Sequence, residues 1–204
     1  SNGIRVVSEY IPYVNSISIG IWIANGSRNE DLHDNGISHF IEHMMFKGTS
    51  SRTAKQIAES IEEIGGQLNA FTSKEATCFY AKVLDTHINI AVDVLCDMLL
   101  NSNMSEDEIE KEKGVVLEEI NMYEDSPEDT VTDLLSQVMW PETSIGYPIL
   151  GTSKNINEFD RDMIMEYMKT HYTAQNIVIS IVGSFQKEEV LKLLDDKLKG
   201  LNQC

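Results

Sequence analysis

Apolar residues recur along this chain with two periods. From Ser16 to Ala24, "SISIGIWIA", isoleucine occupies every second position, Ile17, Ile19, Ile21 and Ile23, with Ser16, Ser18, Gly20 and Trp22 between them. A period of two puts alternate side chains on opposite faces of a sheet, so the stretch predicts a strand. The turn-forming "NGSRNEDLHDNG" then hands over to Ile37–Phe46, apolar on nearly every side, which predicts a buried helix. In "TAKQIAESIEEIGG", Thr53 and Gln56 have capping-box spacing, Ile57, Ile61 and Ile64 recur at helical intervals, and Gly65-Gly66 stops the helix.

Two β-rich runs follow, Gln67–Thr72 and Thr77–Leu84, joined by Ser73-Lys74-Glu75 as a hairpin. Helical patterns dominate afterwards. His87–Leu100 reads as an amphipathic helix, Ser105 with Glu108 caps a long helix running to the region of Tyr123, and a third follows Pro127 and ends near Trp140-Pro141. "GYPILGTSKNI" reads as a loop, "DRDMIMEYMKTHY" as a helix, "NIVISIVG" as a buried strand and "QKEEVLKLLDDKLKG" as a closing amphipathic helix. This order predicts an α+β fold, a mixed and largely antiparallel sheet covered by a cluster of helices. With no repeat, low-complexity tract or linker, residues 1–204 are expected to form a single domain.

Composition narrows the partners. The 204 residues are 42% hydrophobic and 24% charged, enough to bury a core, and carry a formal net charge of −17. Such a charge repels nucleic acid and anionic membrane, so neither is expected as the main partner, while cationic ligands stay compatible. The three cysteines, Cys78, Cys96 and Cys204, are odd in number and lack C-x-x-C spacing, which points away from a disulfide framework and towards a reducing compartment. No apolar run approaches the roughly 20 residues that span a bilayer, and no basic-then-apolar leader opens the sequence, so a soluble, cytoplasmic protein is expected.

Chemistry concentrates in "HFIEHMMFKGT". On a helix His39, Glu42, His43 and Phe46 share one stripe, set among Ile37, Phe40, Ile41, Met44 and Met45. Ionisable groups in an interior helix need a partner or a metal to offset their desolvation. Two imidazoles one turn apart can aim at one ion, and zinc is the usual choice for them. Glu42, just before the second histidine, is placed to reach a metal-bound water as general base. A catalytic zinc site takes three protein ligands, and "EKEKGVVLEEINMYE" offers a third. Its stripe Glu112, Val115, Val116, Glu119, Met122, Tyr123 is apolar except for two glutamates, one suited as ligand and the other as an orienting partner.

H-x-x-E-H followed by E-x-x-V-V-L-E-E resembles the pitrilysin/insulysin family of zinc metallopeptidases, the inverzincins. "NGISHFIEHMMFKGT" looks most like its mitochondrial-processing-peptidase-type and bacterial members. The resemblance continues through "GGQLNAFTSKEATCFYAKVL", "GYPILGT" and "HYTAQNIVISIVG", and so covers essentially the whole chain. It implies that His39, His43 and Glu119 ligate one zinc ion, that Glu42 is the general base, and that Glu112 supports the site without binding metal. It further implies that Asn69, Ala70 and Phe71 lie on a sheet edge to which an extended peptide adds as another strand.

The implied activity is zinc-dependent endopeptidase cleavage of extended peptides or presequences. Family members pair the zinc-bearing domain with a second domain of similar fold, forming a clamshell whose far half supplies an Arg and a Tyr. No candidate for that half is found in this sequence. Its partner is therefore expected in cis, in trans or as a second copy of the chain, and the chain alone is expected to bind zinc but cleave poorly. The alternative is a non-catalytic zinc-binding or scaffold subunit of a two-chain peptidase; the complete motif speaks against it, because such subunits lose part of the set. His33, His87 and His171 read as capping or surface residues, Cys78 and Cys96 as core thiols, and Met44 and Met45 as core filler able to line the site.

Overall fold

The computed structural model describes residues 3–201; Cys204 lies outside that range. Five strands form one mixed sheet: β1 (Arg5–Tyr10), β2 (Ser16–Ile23), β3 (Gln67–Thr72), β4 (Thr77–Leu84) and β5 (Ile177–Gly183), in spatial order β1-β5-β2-β4-β3. Only β1 and β5 are parallel; β5 with β2, β2 with β4 and β4 with β3 run antiparallel. Eight α-helices accompany it among the described residues: α1 (Ile37–Met44), α2 (Ala54–Glu62), α3 (Ile88–Asn101), α4 (Glu106–Glu124), α5 (Pro127–Met139), α6 (Ser153–Glu158), α7 (Arg161–His171) and α8 (Lys187–Lys197). The fold is α+β, as the order of patterns implies.

The alternation in β2 does what its period predicts. Ile17, Ile19, Ile21 and Ile23 are buried against the helices, while Trp22 stays partly exposed on the other face with Phe71 and Val182. α3 lies against β2 and β4, and α1 against β3 and β4. Phe40, Ile41 and Met44 of α1 are buried with Phe159, Ile57 and the sheet isoleucines, so α1 is an interior helix. α3 is buried more completely than an amphipathic pattern implies, with Ala91, Val92, Val94, Leu95, Cys96, Met98 and Leu99 all in the core. Cys78 and Cys96 are buried free thiols, pushed up to about 12 by that burial.

Four local expectations differ. The strand β1 joins the sheet where no strand was read: its burial alternates without a fully buried residue, and it gains its place by parallel pairing with the distant β5. Within the "GYPILGTSKNI" loop, Ser153 begins the six-residue helix α6, capped by Thr152 accepting from the Asn155 N–H at 3.2 Å. Ser105 stands at the N-cap of α4 but its side chain makes no cap bond, and Glu108 turns instead to Lys111 at 2.6 Å. The expected stripe on α4 is rotated. Ile109, Glu112, Val116 and Ile120 face inward, whereas Val115 and Met122 are exposed. The Thr53 capping box is present, with Gln56 N–H donating to Thr53 Oγ1 at 3.2 Å and Thr53 N–H to Gln56 Oε1 at 2.9 Å.

Candidate metal centre

The site depends on where α1 begins. Its N-cap is Gly36, at φ +99°, which has no side chain to cap with. The buried Glu30 takes over: its Oε2 accepts the Gly36 N–H at 2.8 Å and its Oε1 the Ser38 N–H at 2.9 Å. A carboxylate at a helix N-terminus meets both the free N–H groups and the positive end of the dipole. Asn35 Nδ2 donates to the same carboxylate at 3.0 Å and to Pro148 O at 2.9 Å, tying in the segment before α6. There Gly151, at φ +78°, faces Gly36 so closely that a Cβ on Gly151 would lie 2.5 Å from Asn35 O. "GYPILGT" is thus a backbone clamp on the start of α1. Below it, Asn25, Ser38 and Tyr167 form a closed buried hydrogen-bonded triangle with sides of 3.1–3.2 Å.

With α1 fixed, His39 and His43 meet edge to face one turn apart, ring centroids separated by 4.5 Å and ring planes inclined at 65°. α4 crosses them and brings Glu119 between their outer nitrogens. Glu119 Oε2 lies 3.7 Å from His39 Nε2 and 3.4 Å from His43 Nε2. The candidate ligand atoms of these three residues all lie within 4.8 Å of one another, the one such group of His, Cys, Asp or Glu among the described residues. Ligands at the usual zinc bond lengths stand about 3.3 Å apart around a tetrahedral ion, so two imidazoles and a carboxylate at these separations fit zinc after small side-chain movement. Among the described residues His39 Nδ1 is buried without a hydrogen-bond partner, so that ring's polar contact is made through Nε2.

The other nitrogen of His43 is occupied. Nδ1 lies 2.8 Å from Glu112 Oε1, and the second oxygen of Glu112 is 2.5 Å from Lys47 Nζ. Glu112 is 3% exposed, so this is an internal carboxylate with one partner per oxygen. Burial opposes the His43 cation, but the bonds to Glu112 and Glu119 outweigh it and push its pKa up to about 9. Burial, and then the neighbouring His43 charge, push His39 down to about 4. The bond from His43 holds Glu119 below the usual carboxylate range. Glu112 is also held low: its burial is more than offset by His43 and Lys47.

Glu42, half-buried, turns towards β3, where Thr72 donates its hydroxyl hydrogen to Oε2. Burial raises its pKa, against that hydrogen bond. β3 is the sheet edge beyond β4, so Asn69, Ala70 and Phe71 do lie on an edge strand. Asn69 and Phe71 are exposed, and the Ala70 N–H is turned to the Asn69 side chain, which accepts it at 2.8 Å. Met44 and Met45 are fully buried, and Met45 Sδ accepts from Ser102, so both serve the core. His33 is exposed, His87 lies in a single 3-10 turn, and His171 stacks on Tyr167; none joins the cluster. Glu30, Thr72 and Lys47 were not singled out by sequence reasoning. Lys47 alone had a local signal, lying four residues after His43 and hence one turn further on.

Comparison with known proteins gives a consistent picture. Residues 5–153 match the family described as insulinase (peptidase family M16), and residues 158–203 match the peptidase M16 inactive domain. Because β5 lies between β1 and β2, the two matched stretches share one sheet. The chain is 56% identical over 183 residues to the Bacillus subtilis protein named "Uncharacterized zinc protease YmxG", covering 90% of this chain and 45% of that protein. It is 44% identical over 191 residues to an Arabidopsis thaliana protein named "Probable mitochondrial-processing peptidase subunit beta, mitochondrial", covering 94% and 36%. The crystal structure of a protease from Helicobacter pylori superposes with a TM-score of 0.92 at 25% identity, over 99% of this chain and 49% of that one. A peptidase M16 inactive domain from Pseudomonas fluorescens shares the fold, with a TM-score of 0.91 at 16% identity, over 100% and 50%. The chain therefore spans half or less of the length of these relatives.

Proposed function

The chain belongs to the insulinase family of peptidases, peptidase family M16, and we propose that it is the zinc-bearing half of a metalloendopeptidase that cleaves extended peptides. The carrying observation is the convergence of His39 Nε2, His43 Nε2 and Glu119 Oε2 from two helices far apart in sequence. Relatives named as zinc proteases support zinc as the metal. In this reading the three residues would hold one ion, with Glu112 orienting His43.

A bound zinc ion supplies Lewis-acid chemistry, polarising the scissile carbonyl and acidifying a water. The residues of the chain do the rest. Glu42 accepts the proton of the attacking water at its carboxylate and passes it to the leaving amine. Burial raises its pKa in the direction a general base requires, and the Thr72 hydroxyl restrains the carboxylate through one oxygen. The open edge of β3 receives the substrate as an added strand, its backbone read by Asn69, Ala70 and Phe71. An edge strand can pair only with an extended segment, so flexible peptides and presequences are the substrates this geometry suits.

A second half of similar fold, in the same chain, in another polypeptide or as a second copy, completes the enzyme. The surface of α5 supports such a partner: Val131, Leu135 and Val138 recur at helical spacing and all are exposed. The test compares zinc content and peptide cleavage in wild type and Glu42→Gln, each with the second half supplied. Zinc retained and cleavage lost in the variant is the expected result; cleavage that survives removes Glu42 as the base, and absence of zinc from both removes the metal site.

A further inference from the structure

We infer that Lys47 is a positioning residue of the metal site, acting on His43 through Glu112; this rests on the proposed zinc reading. Lys47 lies three residues beyond the end of α1, where the chain tightens into a turn with Lys47 N–H donating to Met44 O at 3.0 Å. That turn keeps its side chain on the face of His43. Its ammonium meets Glu112 Oε2 at 2.5 Å while Glu112 Oε1 meets His43 Nδ1 at 2.8 Å. The carboxylate is thereby held at both oxygens, between a cation on one side and a ring nitrogen on the other.

Two consequences follow from the geometry. A carboxylate with one oxygen fixed cannot rotate away from His43, so the imidazole plane is set with Nε2 facing Glu119 and His39. Nor can Glu112 swing in to compete as a metal ligand, which keeps Glu119 as the single carboxylate in the cluster. Glu112 is nearly inaccessible to water, and the Lys47 side chain is 30% exposed, so the lysine is the element through which a buried orienting group stays charge-compensated. Partners that orient a histidine ligand typically contribute 10- to 100-fold in metal affinity.

The experiment measures zinc affinity by competition with a chromophoric chelator in the purified chain, alongside circular dichroism in chelator to confirm folding. Lys47→Gln is expected to weaken zinc by roughly 10- to 100-fold, and Lys47→Arg, which keeps the cation, to restore most of it. In a Glu112→Gln background, Lys47→Gln is expected to add little, because the link it acts through is already cut. Wild-type affinity in Lys47→Gln, or the same loss in the Glu112→Gln background, overturns the role of Lys47 while leaving the metal site standing. A wild-type chain that binds no zinc overturns the underlying reading instead.

Discussion

His43 Nε2 stands 3.4 Å from Glu119 Oε2, across the gap between α1 and α4. In the metal-free chain this contact, with that to Glu112, keeps His43 protonated to a pKa of about 9. A metal at Nε2 must displace that proton, whereas His39, already neutral above about 4, releases none. Zinc binding is therefore expected to release one proton and to strengthen about tenfold per pH unit through neutral pH, levelling off as pH reaches about 9. Chelator competition at several pH values checks this; a flat profile contradicts it.

The same shifts predict how the metal-free fold responds to pH. The folded pKa of His43 is raised above its ordinary 6.5, so its contribution to stability is full below 6.5 and lost as pH rises through about 9. His39 has a depressed folded pKa, so its neutral burial costs stability as pH falls from 6.5 towards 4. Melting in chelator should decline on both flanks, and added zinc should flatten the alkaline one.

The glycine pair that clamps α1 gives a third expectation. Gly151→Ala puts a Cβ against Asn35 O and Gly36 Cα, at a φ of +78° that alanine adopts only under strain. A loss of roughly 1–3 kcal/mol in denaturant unfolding is expected, together with weaker zinc binding, because the start of α1 has to shift. A variant as stable as wild type would show the clamp to be incidental.

Asp97, on α3, is a second node, tying down the turn at residues 49–52 that links α1 to α2. Its Oδ2 accepts from Thr49 at 2.7 Å, Ser51 at 2.8 Å and Arg52 at 2.6 Å, and its Oδ1 from Asn101 at 2.9 Å. Against its burial, these bonds draw its pKa down to about 2 from 3.8, so its contribution is present above 3.8 and lost as pH falls through 2. Asp97→Ala strands these donors and should cost about 2 kcal/mol or more, read from urea unfolding at neutral pH.

The proposed binding of peptide at the β3 edge can be tested apart from the metal. Since the Ala70 N–H is taken by a side chain and not by β4, proline at position 70 removes that donor while sparing the ladder. Ala70→Pro in zinc-loaded Glu42→Gln protein should keep its zinc and lose affinity for a fluorescent extended peptide. Unchanged peptide affinity would move the substrate elsewhere.

Legibility in the sequence followed the reach of the forces involved. Short-range periodicity marked β2, α1 and the Thr53-capped α2, and the i, i+3, i+4 stripe on α1 brought His39, Glu42 and His43 to notice. Glu119 and Glu112 were separable only by family resemblance, since the pattern alone rotated their stripe towards Val115 and Met122. β1 escaped because its place depends on pairing with β5 at the opposite end of the chain, and α6 because six residues carry one buried isoleucine, Ile156. Glu30, Thr72 and Lys47 support the site through contacts that only the folded chain creates.

The most direct measurement of the central claim is zinc stoichiometry, by metal analysis after loading and gel filtration, in wild type, His43→Ala and Glu119→Gln. One ion per wild-type chain is predicted, with little retained in either variant. Wild-type protein without zinc, or variants that hold it as tightly, would contradict the assignment of His39, His43 and Glu119 as its ligands.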